Sequence, residues 1–88
     1  MNEVAWKREY YESGAVKWET PYVDGLAYGI LKVYYPFGDI QMEAPFVDGQ
    51  LHGVMRLYNQ EGTLTEQVYF IRGERRDNLT RLDKVILI

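Results

Sequence analysis

All eight glycines of this 88-residue chain fall on one lattice with a period of 24 residues. Gly14, Gly38 and Gly62 form one column, and Gly25, Gly49 and Gly73 a second. Gly29 and Gly53 form a third, in which the next member is Asp77. A fixed period in the twenties marks a chain of repeated supersecondary units, each too small to bury an apolar face alone. Any fold for this chain must therefore be periodic.

The other columns follow the same lattice. Tyr10, Tyr34 and Tyr58 align, as do Tyr22, Phe46 and Phe70, and Val16, Ile40 and Leu64. Pro21 and Pro45 align, with Tyr69 in third place. A basic column holds Arg8, Lys32 and Arg56, and an acidic one holds Glu19, Glu43 and Gln67. These columns define three copies, residues 7–30, 31–54 and 55–78, of which the third drifts most. The whole reads as one domain, residues 1–88, in which residues 79–88 follow the last copy as a capping strand.

Within a copy, two runs of β-forming residues alternate with turn chemistry. In the second copy the runs are Ile30–Tyr35 and Ile40–Val47, with Pro36-Phe37-Gly38-Asp39 between them. Proline presets φ for an early turn position, and glycine supplies positive φ. Asp48-Gly49 closes the next hairpin, because both central residues of a type I′ turn need φ > 0. Asp24-Gly25 repeats this, and Arg72-Gly73 keeps the glycine. The structural turns are thus Gly14, Gly25, Gly38, Gly49, Gly62 and Gly73.

A two-residue loop at Phe37-Gly38 predicts that Tyr35 faces Ile40, Val33 faces Met42 and Lys32 faces Glu43. The same offset sets Arg8 against Glu19 and Arg56 against Gln67, pairs that cross-strand packing favours. A second two-residue loop at Asp48-Gly49 predicts that Ile40 meets Leu57 and Met42 meets Met55. One face then collects Leu31, Val33, Tyr35, Ile40, Met42, Phe46, Met55 and Leu57. The other collects Lys32, Tyr34, Gln41, Glu43, Arg56 and Tyr58. The expected fold is all-β: a single twisted antiparallel meander of tandem β-hairpins. Lys7 and Glu9 fall on the apolar face of the first copy, which suits an edge strand, where inward charge discourages addition of another sheet. The tail ends in Val85-Ile86-Leu87-Ile88. Its β-branched content points to a strand, and the spacing of Leu79, Leu82 and Ile86 also fits a helix. An apolar end of this kind suggests a homo-oligomer through the C-terminal strand.

Composition narrows the function classes. A net charge of −3 argues against a nucleic-acid partner, which needs a basic footprint. There is no cysteine, hence no disulfide framework or thiolate metal site. No apolar leader or run long enough for a spanning helix occurs, so the cytoplasm is the expected location. The single histidine, His52, lies in a loop without a second imidazole, and the acidic residues lack ligand spacing. Ser13 is the single serine and stands in a turn with no base nearby in sequence. Glu19 and Glu43 are expected to pair with bases of the ladder. No nucleophile, base or metal constellation emerges, and the chain is expected to be neither an enzyme nor a cofactor protein.

Tyrosine is the enriched type, with eight residues. Tyr10, Tyr34 and Tyr58 should form a row flanked by Arg8, Lys32 and Arg56. Two readings apply to that row. It packs on the basic stems and shields the sheet, or it is a strip that binds a protein, since interfaces favour tyrosine and arginine. These six residues are the candidate partner-binding set.

The run of Tyr34-Tyr35, Gly38, Ile40, Glu43, Phe46-Val47-Asp48-Gly49 and His52-Gly53 resembles the MORN-repeat variant found in many bacterial proteins, often labelled YwqK-type antitoxins. The resemblance spans residues 7–78. It implies stacked β-hairpins, no catalytic residues and a role as a protein–protein interaction module. It also implies two alternatives: an antitoxin or immunity protein that neutralises a cognate toxin, and a module that associates with membranes or lipid head groups. The acidity of this chain argues against a membrane partner. Asn59, Arg72 and Asp77 depart from the pattern, which leaves the geometry of the last hairpin open.

Overall fold

The computed structural model describes residues 3–76. They form nine antiparallel strands in one sheet: β1 (Ala5–Tyr10), β2 (Val16–Val23), β3 (Leu26–Ala27), β4 (Gly29–Tyr34), β5 (Ile40–Val47), β6 (Gln50–Leu51), β7 (Gly53–Tyr58), β8 (Leu64–Ile71) and β9 (Glu74–Arg75). The main order is β1-β2-β4-β5-β7-β8-β9, with the short β3 on β2 and the short β6 on β5. The expected all-β sheet of tandem hairpins is therefore present, and its period is visible in the backbone. Ala5 pairs with Tyr22, Gly29 with Phe46 and Gly53 with Phe70. The residues of the expected capping strand, 79–88, lie outside the described residues, as does Asp77.

The two hairpin types differ from simple two-residue arithmetic in instructive ways. At the first turn, the Gly38 amide donates to Tyr35 O and the Tyr35 amide donates to Asp39 O. The loop is thus the three residues Pro36-Phe37-Gly38, with Gly38 at φ 101°. That geometry is a type I turn closed by a left-handed glycine. It sets Tyr34, not Tyr35, opposite Ile40, and a register shift follows that leaves Gln41 as an extra residue. The shift restores the expected pairs Val33–Met42 and Lys32–Glu43. Lys17 and Thr65 are skipped at the same place in the other copies.

The second turn is the expected tight one. Asp48 and Gly49 both have positive φ, and Val47 pairs with Gln50 across them. Arg72-Gly73 adopts the same shape, with Arg72 at φ 50°. The last hairpin therefore keeps its geometry despite the loss of the aspartate. Beyond the tip, however, the register changes by two residues. Met42 pairs with Leu57 rather than Met55, and Ile40 does not meet Leu57. The cause lies at Pro45 and Gly53. Proline has no amide to carry the ladder onward, and Gly53, at φ 121°, packs beneath its ring. A Cβ built on Gly53 would stand 3.0 Å from Pro45 Cγ, and one on Gly29 2.8 Å from Pro21 Cγ. The glycine column and the proline column are two halves of one contact, which fits their joint absence from the third copy. An offset of two residues preserves parity, so Met42, Met55 and Leu57 keep their expected face, whereas the extra residue Gln41 turns Ile40 from the expected apolar face to the side of its partner Tyr34.

Burial is shallow because the sheet is a single layer. Three of the four buried positions among the described residues form one column, Thr20 (5% exposed), Ala44 (1%) and Val68 (2%), and the fourth is Pro21 beside Thr20. Leu31, Val33, Met42, Met55 and Leu57 are half-buried beside them on the apolar face. A groove of about 550 Å³ runs along this face between the first and second copies, walled by Trp18, Leu26, Leu31, Val33 and Phe46.

Candidate binding surface

The opposite face carries a row that crosses the sheet. Arg8 pairs with Glu19, Glu19 with Lys32, Lys32 with Glu43, Glu43 with Arg56, and Arg56 with Gln67. Three cations thus alternate with two carboxylates and an amide. Arg8 Nε donates to Glu19 Oε1 at 2.8 Å, and Arg56 Nε donates to Gln67 Oε1 at 3.1 Å. Hairpin arithmetic gives the pairs within each copy. The two-residue offset at Gly29 and Gly53 is what joins them into one continuous ladder.

The tyrosine row lies alongside, and two of its members are committed to that ladder. Tyr34 donates to Glu19 Oε2 at 2.8 Å, and Tyr58 donates to Glu43 Oε1 at 3.0 Å. Each bond joins one copy to the copy before it. The Arg8 and Tyr34 hydrogen bonds hold the Glu19 carboxyl below its ordinary pKa. Desolvation, reinforced by the bond to Glu19, pushes the Tyr34 phenol up to about 12. The bond to Glu43 raises Tyr58 as well. Tyr10 differs: it is 55% exposed, and no hydrogen bond of its hydroxyl occurs among the described residues.

A neighbouring column supplies a second joint. Tyr11 donates to Tyr34 O at 2.6 Å, and Tyr35 donates to Tyr58 O at 2.8 Å. The third member is Asn59, whose Oδ1 instead accepts from the Glu61 and Thr63 amides of its own turn. The hairpin tips join too. The Gly49 amide donates to Ala27 O and the Gly73 amide to Leu51 O, both at 2.8 Å. Sequence columns show these residues to be periodic but not that their partners lie one copy away. The available signal was the constant 15-residue spacing from Glu19 to Tyr34 and from Glu43 to Tyr58.

The inward charges of β1 find aromatic partners. Lys7 Nζ sits 4.5 Å from the centre of the Tyr22 ring, and Trp18 Nε1 donates to Glu9 Oε1 at 2.6 Å. Arg8 lies 5.0 Å over the Trp6 ring. His52 is exposed, and its Nδ1 accepts from the Arg72 amide at 3.2 Å. It braces the unusual Arg72 turn.

The family model described as "MORN repeat variant" matches residues 27–48 and 51–72, together half of the chain. The chain belongs to the MORN repeat variant family. The matched stretches are 24 residues apart in phase, the period of the glycine lattice. Residues ahead of the match follow the same MORN pairing, since β1 and β2 reproduce the register of β4 with β5 and of β7 with β8. No curated protein and no solved structure matches the chain.

Proposed function

We propose that this MORN-repeat chain is a non-enzymatic protein-binding module and that its ladder face is the binding surface. The observation that carries this reading is the six-residue row from Arg8 to Gln67, set by main-chain pairing and tied by Tyr34 and Tyr58. Side chains held in this way lose little freedom on binding, which leaves more of the contact energy for affinity. Alternating charge also suits a protein with a complementary pattern. It suits an anionic bilayer poorly, because the cations of the row are interleaved with carboxylates and the chain carries a net charge of −3. An antitoxin or immunity role would be this same surface with a toxin as its partner.

The test is capture of a partner from the native host with immobilised full chain and with a Lys32→Gln, Arg56→Gln variant. The reading expects a partner that the wild type retains and the variant loses, with both proteins folded by circular dichroism. Equal retention by the two rejects the ladder face.

A further inference from the structure

The internal joints of the sheet define what one copy demands of the next. β2 brings Glu19 to β4, where Lys32 faces it in register and the Tyr34 hydroxyl reaches it. β5 brings Glu43 to β7, where Arg56 and Tyr58 do the same. Arg8 and Tyr10 hold these two places on β1, which is the first strand in the sheet order and has no outer neighbour among the described residues. All six residues of β1 are exposed. The receiving groups of a joint are therefore present on this edge without a strand to receive.

The far edge is the opposite case. Where the first and second copies offer Tyr11 and Tyr35, the third has Asn59, bonded to its own turn. Where they offer Glu19 and Glu43, it has Gln67, already bonded to Arg56. Where they offer the apolar Trp18 and Met42, it has Glu66. The third copy has thus lost, at Asn59, Glu66 and Gln67, each side chain that an outgoing joint uses, while β1 retains the incoming set.

One residue of β1 selects the occupant. Glu9 stands in the column of Val33 and Leu57, which face Trp18 and Met42. A second copy arriving by its β8 would set Glu66 against Glu9 and like charge against like, which disfavours pairing. A strand with a cation at that place gains an opposite charge instead. We propose that the outer edge of β1 receives an antiparallel β-strand of a protein partner that carries a Lys-Glu or Arg-Glu step, with the glutamate opposite Arg8 and Tyr10 and the cation opposite Glu9. Strand addition of this kind draws affinity from main-chain bonds and specificity from the facing side chains. The inference rests on the protein-binding reading and places its partner at the N-terminal end of the ladder.

The probe is a synthetic peptide that copies residues 38–49 and carries Met42→Lys, titrated into the full ¹⁵N-labelled chain. The expected result is amide shift changes confined to residues 4–11. Glu43→Gln in the peptide, or Tyr10→Phe in the protein, should weaken binding about tenfold or more, the loss of one hydrogen bond to a charged group. Met42→Glu in the peptide should abolish it. No binding, equal binding of all peptides, or shifts centred on β8 or the apolar groove would overturn the proposal. Capture of a native partner that depends on Lys32 and Arg56 but leaves β1 unperturbed would also overturn it, while the ladder-face reading stands.

Discussion

The Tyr34 hydroxyl donates to Glu19 Oε2 across 2.8 Å and so ties the second hairpin to the first. The same bond recurs between Tyr58 and Glu43. Only two main-chain residue pairs, Trp18–Val33 and Glu19–Lys32, link β2 to β4. The phenol–carboxylate bonds therefore add to the Tyr11 and Tyr35 hydroxyl bonds and the tip amide bonds in holding the copies together. Tyr34→Phe, which keeps the ring, should cost about 1.5 kcal/mol, the low end for a hydrogen bond to a charged group, because the pair is only part-buried. Tyr58→Phe should destabilise less, and Tyr10→Phe should leave stability unchanged. Urea unfolding of the three variants checks the order.

The same bond makes stability depend on pH in two windows. Glu19 has its folded pKa depressed, so its contribution is complete above the unfolded value near 4.5 and is lost as pH falls through the lower folded value. Tyr34 has its folded pKa raised, so its contribution is complete below 10 and is lost as pH rises toward about 12. Thermal midpoints should hold a plateau between these limits. Glu19→Gln should flatten the acid limb, and Tyr34→Phe should flatten the alkaline one.

The contact between Pro45 and Gly53 should behave as a coupled pair. Gly53→Ala forces a Cβ to within 3.0 Å of the proline ring at φ 121° and should cost about 1–3 kcal/mol. Gly38→Ala meets open space, so only its φ of 101° opposes it, at a cost of about 1–2 kcal/mol. Pro45→Ala combined with Gly53→Ala should cost less than the sum of the two single changes. A double-mutant cycle by chemical denaturation reads the difference.

Much of this architecture is legible in the lattice of columns. The hairpins, the two faces apart from Ile40, the tight Asp48-Gly49 turn and the pairs Arg8–Glu19, Lys32–Glu43 and Arg56–Gln67 follow from local turn chemistry and parity. What lies between copies does not. The offset at Gly29 and Gly53 depends on their packing under Pro21 and Pro45, a contact that two-residue loop arithmetic does not contain. Tyr34 and Tyr58 look like a free strip until the offset brings each beside the glutamate of the preceding copy. Of the three tyrosines of the row, Tyr10 alone stands clear of such a bond, because no copy precedes it among the described residues.

Changes in the third copy, on β8 and in the turn before it, should convert a closed edge into a joining one. The variant Asn59→Tyr, Glu66→Met, Gln67→Glu restores the residue types that the first two copies present to their neighbours. It should associate head to tail, with a mass by light scattering that grows with concentration. The Glu66→Met change alone should not suffice, since it supplies neither the phenol nor the carboxylate.

The claim that the ladder face is where this protein meets its partner is tested most directly by mapping the complex. Amide shifts of the ¹⁵N-labelled full chain are followed as the partner captured by the wild type is added. The account expects the largest changes at Arg8, Tyr10, Lys32, Tyr34, Arg56 and Tyr58. Changes centred instead on Trp18, Leu31, Val33 and Phe46 of the opposite face would contradict it.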